Sequence, residues 1–223
     1  MAVSTVEAEA QLRNDLIRKP LRGFIAVADL DVEIPDAFTE GASAAFSQIG
    51  PDWKRLGNIS KSAGIGFSRE TDAADIESWG ASEPTRTDLT KDVTSAKFEC
   101  QETRRSTLEL YYGVDLAAVQ ANAVTKELSF AQPTVLRTIY KRVIFVGVDG
   151  YGDDEIYVIK VMPRFSVTAV EDHNWSDDNA MTYGITGTAK VDPTLGYSVK
   201  HHFAGPGMAD KITAMGFTVA SGS

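Results

Sequence analysis

Two runs dense in β-branched and aromatic residues, PTVLRTIYKRVIFVGV (133–148) and EIYVIKVMP (155–163), are separated only by the six residues DGYGDD. Val, Ile, Tyr and Phe favour a pleated, half-buried backbone. Gly and Asp are the residues a tight reversal takes. Together the three parts predict a β-hairpin, with residues 165–170 continuing in strand register. A second hairpin is predicted from TYGITGTAKV (182–191) and LGYSVKHHF (195–203), across Asp192-Pro193-Thr194.

The rest of the chain reads as further short strands with little helix. LRGFIAVADLDVEI (21–34) alternates apolar residues on both faces and stops at Pro35, which predicts a strand covered on two sides. Residues 51–59 hold Trp53 and a Gly57-Asn58 turn, and 62–70 read as a short strand with Ile65 and Phe67 on one face. Residues 71–79 read as a loop or a single helical turn. Residues 88–102 form the clearest strand, with Ala96, Phe98 and Cys100 opposite Lys97, Glu99 and Gln101. A helix is predicted from Ser106, with Glu109 at capping-box spacing and Gly113 as its stop. Asp115 is placed to cap a second short helix running to about Asn122. The expected organisation is an N-terminal arm (1–20), one mainly antiparallel β domain (21–207) with one or two short helices, and a C-terminal arm (208–223).

Composition narrows the function. One cysteine, Cys100, allows no internal disulfide, and its place on the apolar side of a strand marks it as a small buried side chain. No run approaches the ~18 apolar residues of a membrane-spanning helix. No basic start precedes an apolar core, so no secretory signal is expected. The formal charge is −9, and between residues 145 and 192 nine acids face three bases. Such a surface does not hold nucleic acid, because phosphate affinity comes from Lys and Arg releasing counterions.

No motif for catalysis or ligand binding emerges. The loop 149–155 (DGYGDDE) has Tyr151 where a calcium loop needs an oxygen ligand, and it joins strand to strand where a phosphate cradle needs a helix. It reads as a solvated hairpin tip. His201 and His202 are adjacent, so a strand turns them to opposite faces, and His173 is the only other histidine. No GxSxG, HExxH or CxxC occurs. Neither metal nor cofactor is expected. Arg104 and Arg105 are suited to meeting acids on a neighbouring subunit. Trp53, Trp79, Tyr111 and Tyr112 read as core or interface anchors.

Four stretches in order along the chain carry a resemblance: Trp53-Lys54-Arg55-Leu56-Gly57; Gly66-Phe67-Ser68-Arg69-Glu70; Trp79-Gly80 followed by Glu83-Pro84-Thr85-Arg86-Thr87-Asp88; and Glu102-Thr103-Arg104-Arg105 followed by 107–113 (TLELYYG). A weaker echo is Phe203-Ala204-Gly205-Pro206-Gly207. The pattern resembles the major tail (tail tube) proteins of long-tailed bacteriophages, especially those of actinobacteria. The resemblance implies a β-sandwich or barrel-like domain flanked by a helix, whose strands join a ring-wide barrel. It also implies stacked hexameric rings, forming the hollow conduit of a flexible, non-contractile tail through which DNA leaves the capsid. The implied partners are copies of the chain itself, a tape measure protein within the tube, and terminator and tip proteins at its ends. The implied place is the virion, after synthesis in the host cytoplasm. Trp53, Trp79, Pro84, Arg86, Arg104, Arg105, Tyr111 and Tyr112 are then the assembly candidates. Asp149, Asp153, Asp154, Glu155, Asp177 and Asp178 are candidates for an acidic lining that keeps duplex DNA off the wall. Two rivals stand beside this reading: a β-sandwich adhesin or baseplate module binding a host receptor, and an acid–base hydrolase on a β scaffold.

Overall fold

The computed structural model describes residues 5–134 and 138–220. Ten strands follow in chain order: β1 (Arg22–Ala28), β2 (Thr39–Glu40), β3 (Ala45–Phe46), β4 (Lys54–Arg55), β5 (Ile65–Ile76), β6 (Arg86–Cys100), β7 (Tyr140–Asp149), β8 (Ile156–Val170), β9 (Tyr183–Ala189) and β10 (Lys200–Ala204). Two α-helices join them, α1 (Val6–Ala10) and α2 (Arg105–Tyr112). The fold is the mainly β, antiparallel architecture expected from sequence.

The principal sheet runs β4-β1-β7-β8-β9-β6-β5 and is antiparallel throughout. Its two ends meet. After β4 pairs with β1, the Leu56 amide donates to Ile25 O (3.1 Å). Two residues on, the chain reaches the end of β6: Ile59 bridges Cys100, Ser60 N donates to Glu99 O, and Gln101 N donates to Asn58 O. Residues 54–60 thus close the sheet into a barrel. Inside lie Ile25 and Val27, Val143 and Phe145, Met162 and Phe165, Tyr183 and Ile185, and Ala96, Phe98 and Cys100, two or three from each of five strands. Leu108 and Leu110 of α2 join the same cluster. The strands alternate, so β1, β7 and β8 also present Ala26, Ile144, Val146, Tyr157, Ile159 and Val161 to the outside. The segment 29–53 covers that second face with Ile34, Phe38, Ile49 and Trp53. Both faces of β1 are therefore buried, as its composition predicted.

Gly57 makes the closure possible. Its φ is +86°, and a side chain there would strike the Glu102 carboxylate. Glu102 accepts from the Asn58 amide (2.6 Å) and from Arg104 Nε (2.6 Å). Those bonds hold its carboxyl below the usual range, the Asn58 amide first. Two stretches distant in sequence, Leu56-Gly57 and Glu102-Arg104, meet at the seam.

The first hairpin is as expected: β7 and β8 pair across residues 149–155. Six expectations fail. Strand structure begins at Tyr140 rather than 133, with residues 135–137 outside the described chain. The strand 21–34 ends at Ala28, where the chain leaves the sheet to cover its outer face. Residues 71–76 belong to β5 and are neither loop nor helical turn. α2 has no capping box: Arg104 is its N-cap without a side-chain bond, Ser106 Oγ faces Arg55 O (3.5 Å), and Glu109 accepts from Leu116 N (3.3 Å). Asp115 caps only a turn through Ala117 N (2.9 Å), and no second helix follows. The two strands of the supposed second hairpin do not pair with each other. Both line the same edge of β8, β10 beside residues 157–161 and β9 beside residues 165–170. Fifteen residues of β8 give room for two short partners end to end, and the Asp192 carboxylate, accepting from Thr194 N and Leu195 N, turns the chain from one to the other.

Candidate assembly surface

β5 and β6 extend well past the barrel. β6 last pairs with β9 at Ser95–Thr188, and from there back to Arg86 it has β5 alone. At ~3.3 Å per residue that stretch is about 30 Å long. Its outer edges carry unpaired backbone donors and acceptors, the template strands use to recruit further strands. The ribbon is rooted by Phe67, whose ring meets Phe145 edge-on (5.1 Å) and lies under Lys160 Nζ (3.9 Å). Its tip closes where Thr85 N and Thr85 Oγ1 both donate to Ile76 O. Between them residues 77–84 form a loop with Trp79 fully exposed. Ile76 and Leu89 are exposed beside it.

Charge on the ribbon is distributed unevenly. Arg69 grips Asp92 with two bonds (2.7 and 2.6 Å), Lys91 pairs with Glu70 (2.9 Å), and Arg86 with Asp88 (2.8 Å). All three basic residues of the ribbon are so engaged. Glu77 and Glu83 at the tip have no ion-pair partner among the described residues.

The assembly candidates from sequence fall in three places. Trp79, Pro84 and Arg86 come together at the ribbon tip. Arg104 and Arg105 lie at the barrel seam and the start of α2, and find acids within their own chain, Glu102 (2.6 Å) and Glu109 (3.4 Å). Tyr111 and Tyr112 are half-buried. Tyr111 donates to Glu171 O (2.6 Å), stacks on His173 and meets Tyr183 edge-on, fastening α2 to the loop 171–182; Tyr112 packs on Phe130. Trp53 is inside the monomer, 4% exposed, its indole N–H donating to Glu33 O (3.2 Å).

The acidic candidates divide between the two ends of β8. Asp149, Asp153, Asp154 and Glu155 sit at its start, Asp177 and Asp178 in the loop beyond its end. They make no single wall within one chain. Asp149 accepts from Lys19 N (3.2 Å), and Glu155 pairs with Arg22 and accepts from Tyr157 OH (2.9 Å), so both hold the N-terminal segment in place. Asp153 and Asp154 point to solvent. The Gly205-Pro206-Gly207 stretch packs on this turn, with Gly207 N donating to Glu155 O (3.0 Å).

Sequence reasoning missed Ile76 and Leu89, because TDAADI carries little strand propensity and hid the distal half of β5. Among the described residues no group of His, Cys, Asp and Glu is placed to hold a metal ion. No helix there is long and apolar enough to cross a membrane.

The molecule is thus an antiparallel β-barrel protein with a covered outer face and one long ribbon whose outer edges are unpaired. The family model described as phage tail tube protein matches residues 10–195, and the chain belongs to that family. It is a structural component of a phage tail that forms a tube with copies of itself. Among curated proteins none matches the sequence.

Proposed function

We propose that this chain forms hexameric rings that stack into the tube of a flexible, non-contractile tail, the conduit through which DNA is ejected. The observation carrying the reading is the part of β5 and β6 that runs past the barrel, with both edges unpaired and an exposed indole at its tip. A two-stranded ribbon in water is marginal by itself. Strand edges of a neighbouring copy complete it, and a contact between two different surfaces of one chain repeats without limit. The domain 21–207 supplies the ring, and the arms 1–20 and 208–223 bridge ring to ring. A tape measure protein fills the tube during growth, with terminator and tip proteins at its ends.

DNA passes with about one negative charge per 1.7 Å of axis, and a wall of carboxylates leaves it free to slide. Some of Asp149, Asp153, Asp154, Glu155, Asp177 and Asp178 supply that wall from successive copies, the exposed Asp153, Asp154, Asp177 and Asp178 foremost. The acids lie at both ends of β8, so stacking along the tube axis brings the two groups into one bore.

Electron microscopy of the purified chain tests the reading. Hollow tubes with six-fold rings are expected. Replacing residues 77–84 by Asn-Gly should leave a folded barrel that forms no tubes. A compact monomer at high concentration from the unaltered chain overturns the proposal, and a positive bore in an assembled tube overturns the acidic lining.

A further inference from the structure

The ribbon contains one irregularity. From Ile65–Phe98 to Asp72–Lys91 the strands oppose one residue to one, and from Ala73–Leu89 to Ile76–Arg86 they do so again. Between the two stretches β6 carries one residue more than β5, Thr90, whose hydroxyl donates to Asp72 O (3.3 Å). An extra residue of this kind bends its strand and increases the local twist, and so re-aims whatever lies beyond.

Its position divides the ribbon into two parts. On the barrel side, Arg69–Asp92 and Lys91–Glu70 cross-link the strands on opposite faces, with Lys91 also 3.7 Å from Asp72. On the far side are the exposed Ile76, Leu89 and Trp79 and the unpaired Glu77 and Glu83. A stiff base, a single bend and an apolar, acidic tip describe an arm with a set direction.

We infer that Thr90 is a positioning residue for assembly: the bulge aims the Trp79 tip at its seat on the next copy. The inference rests on the reading that the ribbon joins copies, and adds that its angle, and not only its presence, is required. The seat takes the tip's chemistry, an indole flanked by carboxylates, and is therefore apolar with basic groups at its rim.

Deleting Thr90 is a clean test. The pairs on either side, Asp72–Lys91 and Ala73–Leu89, keep their partners and faces, so the ion pairs survive while the bend is lost. The deletion should leave the melting temperature of the monomer unchanged and raise the critical concentration for tube formation about tenfold or more, the effect of losing roughly 1.4 kcal/mol per contact. Thr90→Val keeps the extra residue and loses only the hydroxyl, and should assemble like the unaltered chain. Normal tubes from the deletion, or loss of tubes with Thr90→Val, overturn the inference. If the deletion gives no folded barrel by circular dichroism, a chain without Thr90 but with Thr inserted after Asp72 moves the extra residue to β5. Tubes from that variant also overturn it. The Asn-Gly replacement of residues 77–84 separates the two levels. If it still forms tubes, the ribbon is not the contact and the functional reading fails. If it forms none while the Thr90 deletion assembles normally, only the inference about angle fails.

Discussion

Trp53 and Trp79 present the same indole in opposite surroundings. Trp53 fills the layer outside the barrel and spends its N–H on Glu33 O. Trp79 touches almost nothing of its own chain. Trp53→Ala should cost about 3–5 kcal/mol in chemical denaturation, the range for emptying a large aromatic site. Trp79→Ala should change monomer stability by less than about 0.5 kcal/mol and abolish tubes in the microscope. Cys100 offers a second residue-level test. Burial pushes its thiol up to about 12, while the unfolded thiol titrates near 9.0. The folded protein should resist a thiol reagent at pH 8 and react once unfolded. Above pH 9 the unfolded chain releases a proton that the folded one keeps, so stability should fall from there toward pH 12. Cys100 was legible because alternation along β6 fixes its face. The difference between the two tryptophans was not, because motif position says nothing about which segment later covers a ring.

At the scale of elements, β10 shows what a strand next to the wrong neighbour does to a side chain. His202 lies edge-on to Phe38 (4.9 Å), and its Nε2 is buried with no partner among the described residues. Burial first, then Lys200 and His201, hold its pKa below 6.5; burial and Lys160 do the same for His201. Below pH 6.5 the unfolded chain therefore takes up protons that the folded one refuses, and stability is lost on acidification through that window, well above the range where carboxylates titrate. Replacing both histidines by glutamine should flatten the fall in urea midpoint between pH 7 and 5.5. The β7–β8 hairpin was readable because its turn is short and its partners adjacent in sequence. The β9–β10 pair misled because a turn signal reports that the chain reverses, not that the two sides bond: β8 is long enough to hold both strands itself. Residues 71–76 were misread because they earn strand geometry from pairing with β6, not from their own propensity.

For the whole molecule, charge and closure matter most. Copies carrying a formal −9 repel one another before they dock. Raising salt from 20 to about 300 mM, across a Debye length of about 8 Å near physiological strength, should speed tube growth in light scattering. A slower rate would mean that attraction between the acidic tip and its seat outweighs the general repulsion. The antiparallel β class was plain from composition and hairpin signals. The closed barrel was not, because residues 54–60 close it with a strand two residues long and a handful of backbone bonds, too brief for any periodicity.

That short seam has a practical meaning. Since residues 54–60 finish the interior within a single chain, the core borrows nothing from a neighbour, and what one copy can lend another is limited to the bare limb.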